Sequence, residues 1–541
     1  MLLHRLKRDK GVKLLDHPYP MLKPILLGNI VAHNLVTNDR RRAALETHVS
    51  DYFWHRRMVI GFSLKTMMAE VSQPSLKRSY ISTGGKVLLN GAAGDRARNF
   101  IREAMNFSEE SIEYFKNHFA DLADPETLNV DDQSSSECWI ETKNFYNFFH
   151  FITESFHKAF SPCINSRNIE TVRFVSRSER VEEFVTKWVN ACSEIFDSNI
   201  LVSAGRDADI TPSESILVPL SAKHLLYQIA GEHQDQINAA RPAGHSWTGY
   251  DAAPHSVKIL GMNSYDDSLE AFKEKIIFVS KQTIERRWSK KIYVTRSKNI
   301  VRKRVMKGEI DLINALSKRG FEVVCFEEMS PLEQVKCVNE ARCIVMQHGA
   351  GMTNMLFASS NAHVFELGTY QTAMARWSDF IPICHVAGCH YHHIFLDMDF
   401  DKEDKDPVFA EDGLVPPVIS KEDVKKVTSL IMREVRDRKE GTVSGLIAHA
   451  KFFIQRNAYL QAYRLLDQCL PYAGNYAEYW EQRAKLDELC GHRNSACNNY
   501  MKAWEISRSE IAKKEFLRLS DNFDYRRDIL LSVNNLQCRL T

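Results

Sequence analysis

The chain has 541 residues, 44% hydrophobic and 26% charged, with 71 Lys+Arg against 69 Asp+Glu and a formal net charge of +2. At roughly 150 residues per domain this length implies three to four domains, too many for one hydrophobic core. The near-neutral charge argues against bulk capture of nucleic acid or acidic lipid, 23 Gly and 16 Pro exclude collagen-like and low-complexity classes, and no apolar run approaches the roughly 18 residues of a membrane span.

The start, MLLHRLKRDKGVKLL, is basic but lacks the apolar stretch of a secretory signal. Its leucines among lysines and arginines allow a peripheral membrane contact; Gly11 interrupts that pattern, and an ordinary surface segment is the plainer reading. The twelve cysteines form no CxxC and read as reduced thiols of a cytoplasmic protein. Residues 1–125 hold two glycine-rich turns, Ser82–Gly85 and Gly91–Gly94, neither with phosphate-loop spacing; the region is assigned to the first α/β domain without a role. Residues 126–265 alternate strands (Thr171–Ser176, Asn199–Ser203, Ser215–Leu220) with helices near 148–160, 180–196 and 221–231, which makes a Rossmann-like domain.

Residues 266–420 alternate more strongly. Lys275–Ser280, Lys291–Thr295, Phe321–Phe326, Arg342–Met346 and Ala362–Leu367 read as strands. A helix over about 303–319 ends at Gly320, and Ser330-Pro331 opens another to about Glu340. This is the pattern of a doubly wound parallel sheet. Cys384, His385, Cys389, His390, His392 and His393 have zinc-ligand chemistry but fall as adjacent pairs in an apolar, strand-like run; buried thiols and hydrogen-bonded histidines are the default there. Residues 421–541 read as a linking helix and a helical repeat: Ala450/Ala484, Ala462/Ala496, Leu466/Tyr500 and Cys469/Ala503 each lie 34 residues apart, a tetratricopeptide-like period. Residues 507–541 are expected to cap it.

The sharpest local feature is RCIVMQHGAGMTNMLFASSNAHVFEL. A strand runs into His348-Gly349-Ala350-Gly351, and a helix begins near 352–354. Free N–H groups at such a start, with no Cβ atoms to block approach, suit an anion such as a nucleotide diphosphate. Thr353 and Asn354 add donors, and Glu366 ends the next strand where a carboxylate suits a ribose diol. Upstream, Arg296 and Arg304 stand among Lys298, Arg302 and Lys303 at the same kind of strand edge, able to neutralise a pyrophosphate leaving group. In NFYNFFHFITESF, His150 and Glu154 are four apart on one helix face, either a general-base pair or part of an aromatic core helix.

Together these elements resemble glycosyltransferase family 61. The likeness is most specific from Lys291 to Leu367, in the order Tyr-x-x-Arg, a basic stretch, Gly-Phe-Glu-Val, an acidic pair, Gln and His-Gly-Ala-Gly-x-Thr-Asn; NFFHFITE at Asn147–Glu154 matches the first-half motif. One departure is that Lys307-Gly308, with Glu309 next, stands where the family often has Asn-Glu. The resemblance implies a GT-B pair of Rossmann domains, inversion at the anomeric carbon and no metal held by a DxD motif. Asp207-Ala208-Asp209 and Asp397-Met398-Asp399 have those letters and read as solvated turns. The resulting expectation is a cytoplasmic, metal-independent glycosyltransferase with no resident cofactor. Its donor is a nucleotide-sugar and its acceptor a glycan or glycolipid, in bacterial surface polysaccharide synthesis. His150 or Glu154 is the base, with His245 and Asp251 as weaker candidates. Arg296, Arg304, His348, Gly349, Ala350, Gly351, Thr353, Asn354 and Glu366 hold the donor. The alternative is an inactive transferase-like scaffold that binds a protein partner, or itself, through the C-terminal repeats.

Overall fold

The computed structural model describes residues 10–15, 22–25, 29–56, 61–77, 80–88, 135–205 (apart from 143, 177, 178, 194 and 197), 214–221, 264–297, 306–435 (apart from 361, 378, 401 and 403), 440–470 and 476–520. Two sheets organise it. Their strands in chain order are β1 (Val12–Leu14), β2 (Asn29–Asn34), β3 (Thr66–Ser72), β4 (Glu137–Glu141), β5 (Thr171–Ser176), β6 (Asn199–Ala204), β7 (Ser215–Ser221), β8 (Lys291–Thr295), β9 (Glu322–Cys325), β10 (Cys343–Gln347), β11 (His363–Thr369), β12 (His390–Met398) and β13 (Pro417–Val418). The first sheet runs β1-β3-β7-β4-β5-β6. Its β7, β4, β5 and β6 are parallel, and β3 and β1 add antiparallel strands at one side. The second runs β9-β8-β10-β11-β12-β2, all parallel, with β13 antiparallel on the end of β12.

The helices are α1 (Asp39–Arg56), α2 (Glu183–Ser193), α3 (Asp267–Thr283), α4 (Glu309–Ser317), α5 (Pro331–Glu340), α6 (Tyr370–Arg376), α7 (Ile381–Ala387), α8 (Lys421–Glu434), α9 (Glu440–Gln455), α10 (Tyr459–Cys469), α11 (Ala477–Leu489), α12 (Arg493–Ser507) and α13 (Glu510–Ser520). This is the expected class, α/β followed by an all-helical part. One continuous core joins the sheets: Cys138, Ile140, Val172 and Phe174 of the first and Ile292, Ile344, Met346 and Val364 of the second belong to it. Tyr293, Val345, Phe365 and Ile394, on the other face of the second sheet, are covered by Leu312 and Leu316 of α4 and Val424, Val427 and Ile431 of α8. Helix α5 starts as its sequence dictates, with Ser330 accepting from the Glu333 N–H, the Glu333 carboxylate accepting in return, and Pro331 in the first turn.

Three expectations change. Lys275–Ser280 is helix, not strand. Leu269, Phe272, Ile276 and Ser280 of α3 are buried at three- and four-residue steps while Phe278 is 57% exposed, so the apolar run is one helical face plus a surface residue. The run from Ile381 to Leu396 is two elements: α7 ends at Gly388, whose φ of +70° needs glycine, and β12 follows. Residues 1–125, assigned to the first domain, are shared. β1 and β3 join the first sheet, whereas β2 pairs with His390–Phe395 of β12 and covers what would otherwise be an open edge of the second.

The four spaced pairs of the C-terminal part are all buried, the alanines at 450, 462, 484 and 496 completely. Small residues there let α9 and α10, and then α11 and α12, cross closely; α13 packs behind α12. Ala484, Ala496, Cys497, Tyr500, Met501, Phe516 and Leu519 then form one apolar cluster with Met67, Val71, Trp139, Val175, Ile216 and Val218. The helices thus cover one face of the first sheet. Buried Asp487 ties them together, accepting from Tyr463 (2.6 Å), Ser495 (2.6 Å) and Asn499 (2.8 Å).

In the second sheet, His33, His363 and His392 stack across β2, β11 and β12. His392 lies 3.0 Å from His363 Nδ1 and 3.4 Å from His33 Nε2. Burial drives all three towards the neutral form, His33 to about 4 and His363 to about 3. Below the ordinary value of 6.5 the unfolded chain therefore binds more protons than the folded one, so stability falls as pH falls. The thermal midpoint should be level above pH 6.5 and drop between there and about pH 4, with a shallower drop in His363→Gln; a wild-type profile flat across that window would contradict the reading.

Candidate functional site

The glycine turn is held from three sides. Where β10 ends, the His348 N–H donates to Leu367 O of β11 (3.0 Å). Arg296, leaving the end of neighbouring β8, donates from Nη2 to His348 O at 2.6 Å. Gly349 lies under that guanidinium: a Cβ would sit 2.2 Å from Arg296 Nη2, and the φ of +157° is disfavoured for other residues. Ala350 and Gly351 form an exposed rim, and the helix Ala350–Phe357 that follows is 3₁₀.

Arg296 is mostly withdrawn from water. Burial lowers its pKa, Glu327 and Glu309 counter this at a distance, and no carboxylate among the described residues lies within ion-pair reach. Its guanidinium therefore has donors to spare in an environment that favours an anion. Arg304 lies outside the described residues, as do His245, Asp251 and Asp207–Asp209.

Three donor assignments need correction. Glu366 is 3% exposed, and its oxygens are taken: Oε1 by His348 Nδ1, Oε2 by the Tyr391 hydroxyl and by His393 Nδ1 at 3.0 Å. Burial would raise its pKa, but His348 and His393 outweigh burial and hold it well below the usual carboxylate range. It orients His348 from behind and is not open to a ribose. Thr353 and Asn354 are buried rather than presented at the rim; Asn354 donates to Gln334 Oε1 (3.0 Å).

His150 and Glu154 do meet. Phe148–His150 begins an α-helical turn that widens into a π-helical turn over Phe151–Ser155 and tightens into 3₁₀ over Phe156–Phe160. Asn147 caps it, accepting from the Phe149 N–H. Phe151, Phe156 and Phe160 anchor it in a cluster with Phe174, Trp188 and Phe272. His150 Nδ1 lies 2.7 Å from Glu154 Oε1, which leaves Nε2 for another partner. The two readings of this segment therefore coexist: an aromatic core helix that carries a histidine–carboxylate pair.

The two sequence motifs converge on the loop between α6 and α7. The Phe380 ring lies 5.4 Å from Phe149 and 5.4 Å from His348, edge-on to both. Its neighbour Asp379 feels the charges of both His348 and His150. Nothing in the sequence flagged Asp379 or Phe380. Tyr391 was legible only as a strand residue sharing a face with His393, and His393 only as one of the Cys384–His393 cluster, not as a partner of Glu366. The other acidic pair is spoken for: Asp397 accepts from the Thr37 hydroxyl (2.6 Å) and N–H (2.9 Å), and Asp399 pairs with Lys307 at 2.5 Å.

Residues 140–365 match the family model Glycosyltransferase 61. That segment belongs to glycosyltransferase family 61. The matched stretch contains both motifs that meet at Phe380. No curated protein matches the chain. The Lys307-Gly308 departure has a structural cause. Lys307 bridges to Val418, and a Cβ on Gly308 (φ +86°) would lie 2.1 Å from Ile419 O. Glu309, next in line, accepts from Tyr293 (2.9 Å) and Thr295 (3.1 Å). The positions serve packing of α4 against the sheet edge.

Gly349→Ala should push Arg296 off the turn and cost about 1–3 kcal/mol of stability, as other overpacking and backbone-strain changes do; a thermal midpoint equal to wild type would show that Arg296 does not rest there.

Proposed function

We propose that this glycosyltransferase is a metal-independent inverting enzyme of GT-B-like construction that moves a sugar from a nucleotide-sugar to a hydroxyl of a glycan or glycolipid acceptor. The observation that carries the reading is the half-buried Arg296, with no carboxylate in ion-pair reach among the described residues, lying across the His348–Gly351 turn. Its spare donors and the rim N–H groups suit the donor diphosphate, and His348, fixed through Nδ1 by Glu366, turns Nε2 away from that carboxylate towards the same ligand.

Chemistry follows from the His150–Glu154 pair. His150 Nε2 takes the proton of the acceptor hydroxyl while Glu154 stabilises the imidazolium. The acceptor oxygen attacks the anomeric carbon from the face opposite the diphosphate, and the bond from that carbon to the leaving oxygen breaks. The departing charge falls on Arg296, His348 and backbone N–H groups, cations and dipoles that do the work a metal does in other transferases. The engagement of Asp397 and Asp399 with Thr37 and Lys307 supports metal independence. The C-terminal helices close the first sheet, which gives them a duty inside the chain.

A screen of nucleotide-sugars should reveal transfer that EDTA leaves intact. His150→Ala should lower kcat by about 10²–10⁴-fold with nucleoside diphosphate affinity unchanged. Arg296→Ala and His348→Ala should weaken that affinity by about 10–100-fold, the worth of a charge-assisted hydrogen bond. Diphosphate binding that ignores both substitutions would remove the donor assignment.

A further inference from the structure

Asp379 has no place in the scheme above, yet it adjoins Phe380, whose ring touches both the His348 turn and the aromatic helix. Its backbone N–H closes the end of α6 on Arg376 O (3.0 Å). Its side chain is only 19% exposed, with Arg376 Nη1 3.7 Å from Oδ2, beyond hydrogen-bond reach. Among the described residues no group donates a hydrogen bond to this carboxylate. Ionised carboxylates so far removed from water are normally saturated with donors, because an unsatisfied one costs more than most single contacts return. Glu366, in the same cluster, is the contrast, with three donors on two oxygens.

The position is as telling as the deficit. Asp379 is coupled electrostatically to His348, on the diphosphate side, and to His150, on the acceptor side. Phe380, the next residue, touches the rings of His348 and Phe149. On the donor-site reading, a group near both the diphosphate side and the base side is placed to meet the transferred sugar. The titratable and charged groups around it are Arg376 on α6, His348 at the turn, His150 on the aromatic helix and Glu366 on β11; burial raises its pKa, and Arg376 opposes the rise.

We propose that Asp379 is a sugar-recognition residue, its carboxylate accepting hydrogen bonds from ring hydroxyls of the donor sugar. This rests on the donor-site reading and adds to it the group that distinguishes a nucleotide-sugar from the bare nucleotide. Hydroxyl donors supply what the protein withholds, and a site built to bond a hydroxyl discriminates strongly against a sugar that lacks it.

Calorimetry on the full chain tests this with UDP, GDP and their glucose, N-acetylglucosamine, xylose and mannose conjugates. Wild type should bind one of the diphosphates and prefer at least one of its conjugates by about tenfold or more. Asp379→Asn should bind the bare diphosphate within about twofold of wild type and lose most of that preference, without a fall in thermal midpoint, because it removes a poorly solvated charge. Asp379→Glu should shift which conjugate is preferred. Retention of the wild-type preference in Asp379→Asn, or equal weakening of diphosphate and conjugate, overturns the proposal. A wild-type chain that binds none of the diphosphates overturns the donor-site reading instead, and the proposal with it.

Discussion

The Glu366 carboxylate, sealed between β11 and β12 with His348, Tyr391 and His393 around it, is the interaction on which the site depends. A lone buried carboxylate is costly, and it persists because three donors converge on it. In return it fixes the His348 ring. His348 O then receives Arg296, and Arg296 in turn requires that residue 349 have no side chain. The chain of constraint runs from a buried charge on one strand, through a histidine on the next, to an arginine on a third. Parallel strands make this possible, since the C-terminal ends of β8, β10 and β11 lie at one edge of the sheet.

Much of this was legible in the residues. The strand before His348, the capping box of α5 and the end of α4 at Gly320 each rest on interactions within a few residues, which local pattern captures. The His150–Glu154 contact is likewise a four-residue matter. Errors came where tertiary packing decides. KIIFVS looks extended until Leu269 and Phe272 are seen to continue its buried side at helical spacing. Residues 29–34 carry no sign that their partner lies some 360 positions later in β12. Glu366 shows why a site residue can be identified and still be given the wrong duty. Its type and its place on the strand after the glycine turn are visible in sequence, whereas it lies mid-strand in β11 and the three donors that consume it come from the end of β10 and from β12.

The C-terminal helices illustrate a different limit. The 34-residue spacing was visible, and small residues at matching positions implied closely crossed helices. The surface those helices serve was not, because Ala484, Ala496 and Phe516 look the same whether they meet a partner or the chain's own sheet. Here they meet Trp139 and Val218. The first sheet has aromatic and helical cover on its other face, so without α11–α13 its apolar side would face water over several strands. The tail is thereby coupled to the first sheet.

Arg296 and Asp379 complete the logic. Each is a charge largely shielded from water; among the described residues Arg296 has no carboxylate within ion-pair reach, and Asp379 has Arg376 at 3.7 Å, beyond hydrogen-bond reach. Such groups lower the stability of the empty protein, and folding tolerates them only where the surrounding core is strong enough to hold them. The continuous core that spans both sheets, with Phe149, Phe380 and the rings around Trp188, meets that condition. The two charges are opposite in sign. The positive one stands at the turn and the negative one beside Phe380, and under the proposed donor reading they would meet a diphosphate and a ring of hydroxyls. On that reading, charge the fold leaves unsatisfied complements the ligand, and the stability withheld from the empty site is available to binding.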